Sequence, residues 1–235
     1  MQKSVEVHNL FVQYRNRTVL KNLNCAVAPG ELVVLIGANG SGKTTLLKSI
    51  GGFLKPKSGT VLIEGIDIKT LKARERAQKI AFLFQNAPPV WAFTVKEFVE
   101  QGQFAARSIF GTVEQTAVED IREHFDLTAV WHRSMTELSG GEVQRVTIAR
   151  AFVQQTPILL FDEPTNNLDR KYQRLLMEYT RHNRRCALVS LHDINTAVQY
   201  ATKLLFLNEG TIIAYAPPVD IIQLPLFQEI FGADR

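Results

Sequence analysis

Apolar runs of strand length recur along the chain at Leu32–Ile36, Ile80–Phe84, Ile158–Phe161, Ala187–Leu191 and Leu204–Leu207. The first is apolar at every position and stops at Gly37, the pattern of a strand covered on both faces rather than one with a solvated side. The runs are separated by segments long enough for crossover helices, so the pattern predicts a mainly parallel sheet with helices on both faces. Residues 1–30 read differently. Val5, Val7 and Leu10, then Val19 to Val27, predict short strands broken by turns and by Pro29-Gly30, forming an antiparallel sheet that Thr60 to Ile63 joins.

From about Asn86 to Glu137 the strand alternation stops. After Pro88-Pro89 come two amphipathic patterns, Thr94 to Ala106 and Val113 to Phe125, which predict an inserted helical lobe at about 86–137. The flanking parts, about 1–85 and 138–235, then form the core together with the antiparallel sheet. The segment Val219 to Phe231 predicts short closing helices.

The 235 residues are 46% hydrophobic and 21% charged, near the average of globular proteins, which excludes disordered and low-complexity classes. That length corresponds to one domain, or one with an insertion. Twenty-seven Lys and Arg against 23 Asp and Glu leave a formal charge of +4. The scattered excess suits an anionic ligand, and with no long basic block, no nucleic-acid partner is expected. Cys25 and Cys186 lack metal-ligand spacing and read as buried, reduced thiols. No apolar stretch approaches the ~20 residues of a membrane helix, and the N-terminus lacks the apolar run of a secretory signal. A cytoplasmic protein is expected, any membrane role being exercised through a partner.

Gly37-Ala38-Asn39-Gly40-Ser41-Gly42-Lys43-Thr44-Thr45 fits the phosphate-loop pattern and lies between a predicted buried strand and the helical run Thr45 to Ile50. Phosphate oxygens need many donors at short range. Glycines let successive backbone N–H groups turn onto them at a helix N-terminus. Lys43 then reaches the β- and γ-phosphates, and Thr44 offers its hydroxyl to Mg²⁺. The pattern arises by chance in about one such chain in a hundred, and its setting between strand and helix lowers that further.

Ile158-Leu159-Leu160-Phe161-Asp162-Glu163 ends an apolar run in two carboxylates, at the strand edge where ligands of parallel sheets bind. Asp162 is the expected Mg²⁺ partner. Because adjacent strand residues face opposite ways, Glu163 is expected to orient or deprotonate the attacking water instead. Without the phosphate loop, a turn with two solvated acids, favoured by Pro164, would be an equal reading.

Leu138-Ser139-Gly140-Gly141-Glu142 precedes the helical run Val143 to Val153. Ser139 reads as an N-cap, and Ser139 with Glu142 has the spacing of a capping box. A capped helix explains the serine and the glutamate. It leaves Leu138 and the paired glycines unexplained, although serine and two glycines at a helix start would also suit an anion.

GANGSGKTT, LSGGEVQR, ILLFDEPTNNLD and SLHD, in this order, resemble the ATP-binding subunits of ABC transporters over nearly the whole chain. The resemblance implies a single ABC ATPase domain: a P-loop NTPase core with a mainly parallel sheet, an N-terminal antiparallel β subdomain and an inserted helical subdomain. It implies ATP and Mg²⁺ as ligands, and a head-to-tail dimer in which Ser139, Gly140 and Gly141 of one copy face the γ-phosphate held by Lys43 of the other. It further implies Tyr14 stacking on adenine, Gln85 touching metal and water, His192 contacting the γ-phosphate, and Asp169 in the loop crossing the dimer interface. Asn39, Gly40, Ser41, Gly42, Thr44 and Thr45 complete the implied nucleotide site.

LHDINTAVQYATKLLFLNEG and PPVDIIQLPLFQEIFG resemble the importer branch for iron chelates, haem or cobalamin. Permease subunits and a solute-binding protein acting through them are the implied partners, with the chain peripheral on the cytoplasmic side of the membrane. The sequence departs from the family's pattern at Glu142, where glutamine is common, at Asn166-Asn167 and at Ala216. Arg145 reads as bracing its helix, and Arg181, Arg184 and Arg185 as solvating a helix end. The alternatives are an ABC ATPase of another transporter branch, or a soluble ABC ATPase of iron–sulfur assembly or DNA repair, the repair type being disfavoured because no long heptad insertion interrupts the chain.

Overall fold

The computed structural model describes residues 3–85, 93–104, 115–183 and 185–232. Parts of both expected lobe helices, Pro88-Pro89 and Arg184 lie outside the described residues.

A six-stranded sheet forms the centre, in the order β10-β9-β3-β8-β7-β6. Its strands are β3 (Leu32–Ile36), β6 (Ile80–Leu83), β7 (Ile158–Asp162), β8 (Cys186–Ser190), β9 (Lys203–Asn208) and β10 (Thr211–Ala216). The first five run parallel through the pairings β6·β7·β8·β3·β9, and β10 returns antiparallel to β9. In β3, β7 and β8 every residue is buried, as the unbroken apolar runs require. Strand alternation divides them between two cores: Leu32, Val34 and Ile36 face one and Val33 and Leu35 the other.

The second sheet has the order β2-β1-β4-β5, built from β1 (Val5–Tyr14), β2 (Arg17–Val27), β4 (Ser58–Ile63) and β5 (Ile66–Asp67). It corrects the expectation of short broken strands, since β1 and β2 are 10 and 11 residues long. The apparent breaks are register shifts within one continuous ladder. Asn9 and Asn22 adopt φ of 48° and 55° there, a left-handed conformation that asparagine tolerates better than most residues.

Helix α1 (Lys43–Ile50) follows β3, and α2 (Ala73–Lys79) precedes β6. In the region expected to be helical are α3 (Val95–Glu100), a 3₁₀ turn at Gln101–Phe104 and α4 (Gln115–His124), followed by α5 (Gly140–Val153). Val95, Phe98, Val118, Ile121 and Phe125 join the core that faces Val34 and Ile36, so these helices share the apolar interior of one sheet face. The crossover helices α6 (Arg170–His182) and α7 (Ile194–Tyr200) cover the sheet, and α8 (Pro218–Ile221) and α9 (Pro225–Phe231) are the short closing helices expected. Cys25 and Cys186 are both buried and free. The loops after β3, β6, β7 and β8 all leave the same edge of the parallel sheet, so four segments distant in sequence converge there.

Candidate functional site

The loop after β3 turns through residues that need unusual backbone angles. Gly37, Gly40 and Gly42 have φ of 148°, 80° and 110°. A Cβ on Gly37 would lie 2.2 Å from the Leu207 carbonyl oxygen, and one on Gly42 2.5 Å from Leu20 Cδ2, so conformation and space both require glycine at these two positions. Lys43 is buried, and its Nζ donates to the carbonyls of Gly37 at 2.7 Å and Ala38 at 3.3 Å. Burial pushes its ammonium below the usual 10.5, opposed by the nearby charges of Glu163 and then Asp162. The lysine is thereby fixed across the loop, with both acids near enough to hold its charge.

At the end of β7, Asp162 is 1% exposed. Its Oδ1 accepts from Ser190 Oγ at 2.8 Å and Thr44 Oγ1 at 3.1 Å. Glu163 has φ of 52°, outside strand geometry, which corrects the reason given for its separate role. The chain turns at Glu163, so strand alternation does not decide where its carboxylate points. The Glu163 backbone N–H donates to Ser190 Oγ at 2.8 Å. One buried hydroxyl on β8 therefore fixes both acidic positions.

The Glu163 carboxylate is the hub of the site. Oε2 accepts from Gln85 Nε2 at 2.5 Å and Asn166 Nδ2 at 2.8 Å, and Oε1 lies 2.5 Å from His192 Nε2. A cleft of about 630 Å³ is lined by Tyr14, Asn39 through Thr45, Gln85, Glu163 and His192, together with Arg17 and Val19. Of the residues expected at the nucleotide, all but Asp162 and the Ser139 group line it, and Asp162 lies beneath, bonded to Thr44. Tyr14 is 43% exposed, leaving ring surface free for stacking.

Sequence reasoning missed Arg17, Val19, Ser190 and the side-chain role of Asn166. Arg17 was within reach, since it pairs with Tyr14 across the β1–β2 turn. Ser190 carried no signal beyond a hydroxyl at the end of an apolar run.

Ser139, Gly140 and Gly141 stand apart from this cleft. Ser139 caps α5 in the expected capping box: its Oγ donates to Glu142 Oε2 at 2.7 Å, and its N–H to the same oxygen at 2.8 Å. These bonds, the hydroxyl first, hold the Glu142 carboxyl below its ordinary 4.5, with Arg133 contributing charge. Ser139 and Gly140 are exposed, and a Cβ on Gly140 would meet nothing within 4 Å. Gly141 packs toward the loop after β7, where an added Cβ would lie 3.0 Å from the Asn167 carbonyl. Arg145 braces, as expected, donating to the carbonyls of Phe125 at 2.9 Å and Asp126 at 2.8 Å. Asp169 caps α6, accepting from the Tyr172 N–H at 3.0 Å.

Asp162 Oδ2 is buried and has no hydrogen-bond partner among the described residues, which is costly for a carboxylate oxygen unless a cation completes it. With the Thr44 hydroxyl on the same carboxylate, this oxygen-only pair fits Mg²⁺, which takes few protein ligands and draws the rest from phosphate and water. In keeping with that, no cluster of three or more His, Cys, Asp or Glu able to hold a metal occurs among the described residues.

A family model described as ABC transporter matches residues 20–166. The chain is 38% identical to an uncharacterized ABC transporter ATP-binding protein of Methanocaldococcus jannaschii, over 94% of this chain and 88% of that protein. It is 34% identical to the ferric enterobactin transport ATP-binding protein of Escherichia coli, over 95% and 85% of the two chains. A cobalamin import ATP-binding protein of Halobacterium salinarum is 33% identical over 98% of this chain, which spans 59% of that longer protein. Among solved structures, a dimeric ATP-binding cassette in a post-hydrolysis state with ADP and Pi superposes with a TM-score of 0.81 at 30% identity, over 91% of this chain and 98% of that one.

Proposed function

The chain belongs to the ABC transporter ATPase family, and from that premise we propose that it powers a membrane importer, with an iron chelate, haem or cobalamin-like solute as cargo. It is an ABC ATPase and binds ATP. The observation that carries the mechanism is the convergence of Lys43, Thr44, Gln85, Glu163 and His192 on one cleft, together with the exposed Ser139 and Gly140. The import branch is supported by what the ferric enterobactin and cobalamin relatives do.

In this reading Tyr14 stacks on the adenine, and the backbone N–H groups of Asn39 to Thr45 take the phosphate oxygens. Lys43 neutralises the γ-phosphate as charge develops on it. Thr44 and Asp162, with Gln85, would hold Mg²⁺. Bound there, it would act as a Lewis acid and withdraw charge from the phosphate. Glu163 accepts the proton of the attacking water, and His192, beside Glu163, contacts the γ-phosphate. Ser139, Gly140 and Gly141 of a second copy complete the donor set, so ATP draws two subunits together head to tail and its hydrolysis releases them.

The permease docks beside Gln85. There, a cleft of about 320 Å³ is lined by Phe53, Phe82, Phe84, Arg76 and Arg150, and Phe53 is 53% exposed. In this proposal the chain attaches on the cytoplasmic face through the permease, with a solute-binding protein acting on the far side; no helix among the described residues is long and apolar enough to cross a membrane.

The test is Glu163→Gln. The variant is expected to bind ATP and dimerise but to hydrolyse it very slowly; undiminished turnover removes Glu163 from the mechanism. For the transport reading, affinity capture from membranes is expected to bring down a permease with many spanning helices. Capture of soluble partners alone contradicts it.

A further inference from the structure

We infer that Asn166 is a positioning residue for ATP hydrolysis, fixing which oxygen of Glu163 takes the proton of the attacking water. The inference rests on the reading of Glu163 as the base. The terminal torsion of a glutamate is broad and two-fold, so an unrestrained carboxylate exchanges its oxygens freely. Here the oxygens differ. Oε2 accepts from two amides, Gln85 Nε2 at 2.5 Å and Asn166 Nδ2 at 2.8 Å, whereas among the described residues Oε1 meets only the His192 imidazole, at 2.5 Å. Each donated hydrogen bond occupies a lone pair of the oxygen that receives it and withholds that oxygen from the water.

The two amides are held in different ways. Gln85 follows β6, is exposed, and in the mechanism above turns toward metal and water. Asn166 is half-buried and belongs to the same loop as Glu163. Its own N–H donates to the Glu163 carbonyl at 3.3 Å. That loop is clamped from both sides: Gln144 Nε2 donates to the Pro164 carbonyl at 2.8 Å, and Gln173 Nε2 to the Leu168 carbonyl at 2.9 Å. Asn166 therefore moves with Glu163 and stays on Oε2 after Gln85 has left. His192, the partner of Oε1, turns to the γ-phosphate in the same mechanism, so Oε1 is the oxygen left open for chemistry. In that step the O–H bond of water breaks with its proton going to Oε1. The water oxygen bonds to the γ-phosphorus, and the bond from that phosphorus to the bridging oxygen breaks, its electron pair leaving on ADP.

Asn166→Ala removes the donor. Asn166→Asp keeps the size and the turn-forming side chain but opposes Oε2 with an acceptor. Steady-state ATP hydrolysis is measured for both, with Glu163→Gln alongside. The expected result is a kcat lower by about tenfold or more, the scale of one hydrogen bond to a charged group, with KM and ATP-driven dimerisation unchanged and Asn166→Asp the slower of the two. In a Glu163→Gln background, Asn166→Ala is expected to change the residual rate by less than about twofold, since residues acting through one group are not additive. If both Asn166 variants stay within about twofold of the parent kcat while Glu163→Gln is inactive, the positioning role is wrong and the base reading stands. An active Glu163→Gln overturns both.

Discussion

Ser190→Ala tests how far the acidic end of β7 depends on a single hydroxyl from the neighbouring strand. Ser190 has no exposed surface; it donates to Asp162 Oδ1 at 2.8 Å and accepts from the Glu163 N–H at 2.8 Å. The alanine leaves that N–H buried without its acceptor, at about 1–3 kcal/mol, and takes a charge-assisted donor from Asp162, about 1.5–3 kcal/mol more. Thr44 still donates to the same oxygen at 3.1 Å, so the two losses overlap, and about 3 kcal/mol in total is the reasoned figure. For a chain of this size that corresponds to a melting temperature lower by about 6–12 °C. Because the same bond fixes the turn at Glu163, the folded variant should also show a lower kcat. Urea unfolding and ATP turnover, measured on one preparation below the variant's melting range, give both quantities. A variant within about 0.5 kcal/mol of the parent, the scatter of ordinary surface substitutions, with unchanged kcat would refute the reasoning.

Burial pushes the Cys25 and Cys186 thiols up to about 12, so neither should react with a thiol reagent at neutral pH until denaturant is added; fast labelling of the native protein contradicts this. Glu142 sits below its ordinary 4.5, so its stabilisation is complete above that value and is lost as pH falls through the lower folded one. Glu142→Gln should thus be slightly less stable than the parent at neutral pH, by under about 1 kcal/mol for so exposed a pair. The gap between the two urea midpoints should narrow as pH falls below 4.5, and a gap that does not narrow counts against the assignment. Arg145→Ala loses two carbonyl contacts and its stacking over Tyr172, 4.2 Å from the ring centroid. A loss of about 2–3 kcal/mol in urea with KM for ATP unchanged is expected; a raised KM would place Arg145 at the nucleotide.

The parallel sheet was legible because β3, β7 and β8 are buried at every position and apolar up to the polar residues that end two of them, Asp162 in β7 and Ser190 in β8. β10 was passed over although Ile212 to Ala216 is itself an apolar run after the turn at Glu209-Gly210, and its residues are only partly covered. The lengths of β1 and β2 were hidden by Asn9 and Asn22, which look like turn residues and here take up register shifts. In the site, the phosphate loop and the Ser139 cap follow from local geometry and could be read locally. Ser190 and Asn166 act across or around a turn, and the left-handed angle at Glu163 that makes their contacts possible leaves no trace in a strand pattern. Tyr14, Gln85 and His192 were reachable only by resemblance, because what unites them is convergence at one sheet edge.

If two copies share the working site, as proposed above, mixing two inactive variants should restore turnover. Lys43→Ala removes the phosphate lysine, and Gly141→Asp places a carboxylate where the neighbour's γ-phosphate should lie. A mixed head-to-tail dimer then holds one wholly intact site, so equal mixing should restore about a quarter of parental turnover, with half the dimers mixed and one site in each. If each subunit completed its own site, both variants would stay inactive together as they are apart, and that result would contradict the account.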